Sequence, residues 1–275
     1  MAAKSKHDLL IEEEMSDFHL APRVMQCIDD CADRLGVGRQ EMRVLDWGCG
    51  RGRTVLKLLE LGIDAYGVDI DPGPIRNGSQ IMKERGFDPE QRLICISSDC
   101  LTPFADEFFH VVLSEQVFEH VSDLDALSAE LLRITIPGGG GLHVFPAKWR
   151  VIEPHLFVPF VHWLPKNRIR YWYLYLMAKR IPVWRSVEDK RVAERVEVYY
   201  DYLINKTYYR SLKKIFKTFY AAGFDAFLWP GGRPGRKLKL LMPFLLFNTR
   251  FSSKFWSLWF SSFHQVVLRT IRRQA

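Results

Sequence analysis

The stretch Val44-Leu45-Asp46-Trp47-Gly48-Cys49-Gly50-Arg51-Gly52, followed in the next apolar run by Val68-Asp69-Ile70-Asp71, decides the fold. It reads as a buried strand ending in an acid, a turn with glycine at every second position, and then a helix. Glycines at that spacing let backbone press against a ligand where a Cβ would collide. An acid closing the next strand is placed to hold a ribose diol, the logic of nucleotide sites in doubly wound sheets.

Two cofactor classes use this layout, and spacing separates them. A dinucleotide site asks for G-x-G-x-x-G, but the third glycine's place is taken by Arg53, and the glycines run Gly48, Gly50, Gly52. With Asp46 just before the turn, the pattern resembles motif I of the class I S-adenosylmethionine-dependent methyltransferases. That resemblance is close over Arg43 to Phe145 and elsewhere extends only to the order of elements. It implies S-adenosyl-L-methionine as cofactor. The turn Gly48, Cys49, Gly50 and Gly52 would line its methionine end, and Asp46 would face its amino group. Asp69 would take both ribose hydroxyls and Ile70 would pack on adenine. After the third strand, Asp99 would hold the adenine amino group and Cys100 would cover the ring. The plainer readings are a turn-forming Asp46 and a helix-capping Asp69, although Asp71 before Pro72-Gly73 suits the cap better.

Outward from this core, strands are expected at 43–47, 65–70, 93–97, 110–114 and 141–145, the last entered through Pro137-Gly138-Gly139-Gly140. Helices are expected at 54–61, 74–85 and 123–134, with a lead-in helix over 16–35 above the sheet edge. Strands alternating with helices at this pitch mean a parallel sheet with crossovers. A helix at 208–222, a strand at 224–229 and a final strand at 264–271 complete a doubly wound α/β fold with a mostly parallel seven-stranded sheet. The reading is one domain over 1–275, with a cap insertion at 148–205 and an apolar insertion at 230–263 in the last hairpin, far longer than an ordinary loop.

Ser114-Glu115-Gln116-Val117-Phe118-Glu119-His120-Val121 follows the fourth strand, where the methyl group would sit. It resembles the S-x-V-L-E-H-V signature of the branch containing quinone-biosynthesis O-methyltransferases. Some of that branch bind a divalent metal through E-x-x-E-H; here Gln116 replaces the first glutamate, so no metal site is expected. The resemblance places Glu115 and Gln116 beside the cofactor. Glu119 and His120 are candidates for acceptor binding or proton removal, as is His155 in the loop after strand five. Each has a structural alternative: His155 as a loop histidine bonded to backbone, and Glu119 and His120 as a structural pair, since the resemblance includes members that carry E-H there whatever their substrate. His143 falls inside strand five and reads as a core residue.

The chain has 275 residues, 48% of them apolar, and a formal net charge of +7. The charge favours anionic surfaces without choosing among them. Five cysteines show no metal-ligand spacing and suit a reducing cytosol; Cys27 and Cys31 read as core. Residues 238–263 carry an aromatic face with flanking cations, interrupted by Pro243, Asn248, Arg250 and Lys254 before reaching a spanning length. That points to peripheral membrane contact, or to burial on the protein or in a homodimer. The function expected is O-methylation of a lipid-like, isoprenoid or glycolipid small molecule. The alternatives are a non-catalytic cofactor-binding interaction protein, or an RNA methyltransferase using the basic-aromatic cap.

Overall fold

The computed structural model describes Glu13, Met15, residues 17–229 and residues 265–274. Seven strands form one sheet in the order β3-β2-β1-β4-β5-β7-β6. They are β1 (Arg43–Trp47), β2 (Asp64–Asp69), β3 (Leu93–Cys95), β4 (Phe109–Glu115), β5 (Thr135–Pro146), β6 (Phe224–Leu228) and β7 (Gln265–Arg272). The first five run parallel, and β7 is antiparallel to both β5 and β6. Order reverses at β1, so the carboxyl ends of β1 and β4 open a crevice for a ligand.

Helices cover both faces: α1 (Pro22–Leu35), α2 (Arg53–Glu60), α3 (Pro72–Glu84) and the short α4 (Pro89–Arg92) precede β3. After β4 come α5 (Leu124–Ile134), α6 (Arg168–Met177), α7 (Val192–Asn205) and α8 (Leu212–Ala222). Alternation along the strands sorts the core into two layers. Val44, Val111, Leu142 and Val144 face one cluster with Cys27, Cys31, Val55 and Ile81. Leu45, Val112 and Phe145 face another with Leu127, Leu131, Ile215 and Phe219. A third cluster lies in the segment between β5 and α8, where the cap insertion is expected: Leu156, Val158, Val161, Leu174, Val196, Tyr199 and Leu203.

Three local expectations are corrected. Pro137 to Gly140 does not lead into β5 but lies inside it, with an irregular register against β4. Crowding explains the glycines: a Cβ on Gly140 would sit 2.1 Å from the Thr270 carbonyl oxygen of β7. The described lead-in helix starts at Pro22 and packs over β4 and β5, with Cys31 Sγ against the His110 carbonyl and Arg34 bonded to Gly138. The sheet's edges are β3 and β6. Residues 208–211 precede α8 rather than beginning it, because Tyr208 donates its N–H to the Glu119 carbonyl at 2.6 Å. The expectations for 238–263 and for His264 lie outside the described residues.

Candidate functional site

The turn after β1 is built by hydrogen bonds to β2. Gly48 and Cys49 donate their N–H groups to the Val68 carbonyl at 2.8 and 3.0 Å. Gly48, Gly50 and Gly52 have φ of 79, 54 and 71°, the left-handed region. Helix α3 then locks the turn from behind, since a Cβ on Gly78 would lie 1.9 Å from the Arg51 carbonyl oxygen. Asp69 bonds in two directions: Oδ2 accepts from Gly50 N–H at 2.8 Å and Oδ1 from Asp71 N–H at 2.9 Å. Asp71, not Asp69, caps α3 through Gly73.

Of these residues, Gly48 and Asp69 face an open cleft of about 290 Å³, lined by Trp47, Gly48, Asp69, Ile70, Ile96, Ser97, Ser98, Cys100, Gln116, Val117, His120, Val121 and Ser122. Ile70 presents its side chain to solvent at 61% exposure, an open apolar shelf beside Asp69. Cys100 and Gln116 hold φ of 67 and 57°, strained for side-chain-bearing residues. Gln116 keeps that backbone by donating its N–H to the Val144 carbonyl at 2.7 Å.

Six of the cofactor-end candidates sit outside the cleft's lining: Gly50 and Gly52 of the turn, and Asp46, Cys49, Asp99 and Glu115. Asp46 is buried beneath the turn in a small separate cavity with Arg23, Thr54, Ser114 and Glu115. Burial pushes its carboxyl up to about 7, against the hydrogen bond from Thr54. Glu115 points the same way and pairs with Arg23 at 2.9 Å. Cys49 turns its thiol into the core against Gly67. Asp99 braces its own loop, accepting from Ser97 Oγ at 2.5 Å and Leu101 N–H at 3.1 Å.

At the opposite end, Glu119, His120 and His155 come together, each offering one donor atom, all within 4.8 Å of one another. His120 donates its Nδ1 proton to the Lys206 carbonyl at 2.7 Å, which leaves Nε2 as the acceptor, 4.0 Å from Glu119 Oε1. Burial holds the His120 imidazole below its ordinary range. Burial also pushes the Glu119 carboxyl up to about 7, and neither of its oxygens has a hydrogen-bond partner. His155 donates Nδ1–H to Glu153 Oε1 at 2.7 Å. Glu153 is fully buried yet ionised: burial opposes the charge, but His155, the Tyr209 hydroxyl and the Leu156 amide outweigh it.

A family profile described as a methyltransferase domain matches residues 45–142, the sheet segment that carries the turn, Asp69 and the loop after β4. Over residues 45–142 the chain is thus similar to methyltransferase domains. Norajmaline N-methyltransferase of Rauvolfia serpentina is 29% identical over 102 residues, 36% of this chain and 34% of that protein. A ubiquinone biosynthesis O-methyltransferase of Parvibaculum lavamentivorans is 26% identical over 172 residues, 61% of this chain and 66% of that protein. Among solved structures, geranyl diphosphate C-methyltransferase from Streptomyces coelicolor superposes with a TM-score of 0.51 at 13% identity, covering 92% of this chain and 79% of that one. The chain spans about a third to a half of the length of the first curated relatives it matches.

Two residues that secure this end of the cleft were not legible in the sequence. Arg210 clamps the loop after β4, donating to the carbonyls of Phe118 at 2.9 Å, Val121 at 2.5 Å and Ser122 at 2.8 Å. Tyr209 donates its hydroxyl to Glu153 at 2.5 Å. Both follow α7, far along the chain from the loops they secure; only the polar pair Tyr209-Arg210 just before α8 hinted at them.

Proposed function

We propose that this methyltransferase binds S-adenosylmethionine with its nucleoside over Asp69 and Ile70, and methylates an oxygen of a lipid-like, isoprenoid or glycolipid acceptor. The observation that carries the reading is the cleft's two-ended chemistry. A glycine turn and a carboxylate suited to a ribose lie at one end, and His120 lines the other. Sulfonium methyl transfer needs in-line alignment and a dry site more than acid catalysis. A hydroxyl acceptor must also lose its proton. Glu119, His120 and His155 are the groups against which that hydroxyl would lie, with both imidazoles held so that Nε2 carries the lone pair.

The greasy acceptor is supported by the cap. Helix α6 turns Ile169, Trp172 and Leu176 to solvent at 58, 59 and 79% exposure, one stripe at i, i+3 and i+7. The neighbouring loop exposes Trp149, Ile152, Phe157 and Phe160. Residues 148–187 contain eight Lys and Arg and one acid, the buried Glu153. Apolar side chains among cations without exposed acids suit an anionic membrane surface. Among the described residues no helix is long and apolar enough to cross a membrane, so the contact proposed is peripheral. The relative that methylates geranyl diphosphate gives an isoprenoid precedent on the same fold.

The test is incubation with radiolabelled S-adenosylmethionine and extract separated into lipid, RNA, protein and soluble fractions. Label entering the lipid fraction as an alkali-stable methyl ether or a methyl ester is expected. Label confined to RNA or protein would overturn the acceptor assignment.

A further inference from the structure

The cluster of Glu119, His120 and His155 has a feature that proton transfer alone does not require. The Glu119 side chain is 1% exposed, and both of its oxygens lack any hydrogen-bond donor. Burying a carboxyl group without partners is costly, because its lost water contacts are not replaced. Such a group is retained where something else supplies a positive partner. The two histidines facing it are each fixed from behind. His120 gives Nδ1–H to a backbone carbonyl, and His155 gives Nδ1–H to a buried carboxylate. Histidines that bind metals almost always donate the second ring N–H in one of these two ways, which fixes the tautomer and raises the basicity of the ligating nitrogen. The Glu153 carboxylate is itself held, by Tyr209 Oη–H at 2.5 Å and by the backbone amides of His155 and Leu156 at 2.8 and 2.6 Å.

We infer that Glu119, His120 Nε2 and His155 Nε2 form a divalent metal site at the acceptor end of the cleft. Two imidazoles and one carboxylate are a donor set for zinc or another late first-row ion rather than for magnesium, which takes oxygen ligands. Three protein ligands leave one position of a tetrahedral ion open, on the cleft side where His120 is part of the lining. A Glu119 oxygen and one ring nitrogen of each histidine lie within 4.8 Å of one another. Metal–ligand distances of about 2.0–2.2 Å require each to move inward by about an ångström, within reach of side-chain rotation. The donor set differs from an E-x-x-E-H loop. Gln116 stands where that pattern's first glutamate would be, and the third ligand, His155, comes from the segment after β5. An ion here would bind the acceptor's oxygen, so the inference rests on reading this end as the acceptor's.

The full chain, stripped with chelator and held without cofactor or acceptor, is titrated with Zn²⁺, Co²⁺ and Mg²⁺ in separate calorimetric experiments. One Zn²⁺ per chain is expected, with Mg²⁺ at least 100-fold weaker. The Co²⁺ form should show visible ligand-field bands without a thiolate charge-transfer band. Such a band would assign the metal to Cys95 or Cys100 and overturn the proposal. His155→Ala and His120→Ala should each weaken Zn²⁺ at least 100-fold, and Glu153→Gln by about 10–100-fold through loss of the outer hydrogen bond. Gln116→Ala should leave Zn²⁺ affinity unchanged. Melting curves of each metal-free variant establish that it is folded. Equal Zn²⁺ affinity in parent and His155→Ala, or no binding by the folded parent, would overturn the site. S-adenosylmethionine affinity of the same metal-free chain reads the cofactor end separately, so failure here leaves that reading standing.

Discussion

Asp69 ties the glycine turn and the start of α3 together through its two oxygens, and each oxygen keeps a lone pair for a ligand. Its removal therefore takes away direct contacts and loosens the floor. A hydrogen bond to a charged group is worth about 1.5–3 kcal/mol. Asp69→Ala should weaken S-adenosylmethionine by about 100-fold or more in calorimetry; parental affinity would contradict the assignment. The place of Asp69 at the cleft could be read in the sequence because it follows from position: the last residue of a strand, one crossover after a glycine turn. Asp46 and Glu115 stood in equally readable positions, yet both point into the cavity beneath the turn with Arg23. The sequence tells which end of a strand a residue occupies. It does not tell on which side of a one-residue turn the side chain leaves. Asp99 shows the same limit, since its carboxylate is taken up by its own loop.

Among elements, α6 is unusual in the direction it faces. Its inner side carries Leu174 and the guanidinium of Arg170, which donates to the Leu203 and His162 carbonyls, while its outer stripe is apolar. Burying a Trp or Leu side chain from water is worth about 1.5–3 kcal/mol. Trp172→Ser with Leu176→Ser should therefore cut co-sedimentation with anionic phosphatidylserine vesicles by about 100-fold, with an unchanged melting temperature because both side chains are already exposed. Unchanged sedimentation would remove this face as the contact. The cap's aromatic and basic composition was visible in the sequence, but its helix directions were not, because an apolar stripe turned to water has the same periodicity as one turned to a core. Strand β5 misled for a related reason. Pro-Gly-Gly-Gly has turn chemistry locally, and only the approach of β7 shows that the glycines are there for clearance.

Across the whole molecule, His143 joins three strands. Its Nδ1 lies 2.9 Å from Ser114 Oγ of β4 and its Nε2 lies 3.3 Å from Thr270 Oγ1 of β7. Burial, with Arg269 nearby, pushes the imidazole down to about 3. The unfolded chain takes up this proton near pH 6.5 and the folded chain does not, so stability is full above that pH and falls as pH drops toward 3. The slope for one such group is about 1.4 kcal/mol per pH unit. Urea titrations at pH 7 and 4.5 should show a loss about 2–3 kcal/mol larger in the parent than in His143→Gln; equal losses would mean that His143 does not carry the effect.

The separate apolar cluster of the cap has a consequence for how such an enzyme diversifies. The end proposed for the cofactor is set by side chains anchored in the sheet, whereas His155 rides on a segment secured by Leu156, Val158 and Val161 in a separate apolar cluster. Under the proposed function, replacements there would reshape what is methylated while the methyl donor's grip stays as it was. Each half of the reaction thus answers to a different body of packed residues, and new substrates can be explored in one without putting the other at risk.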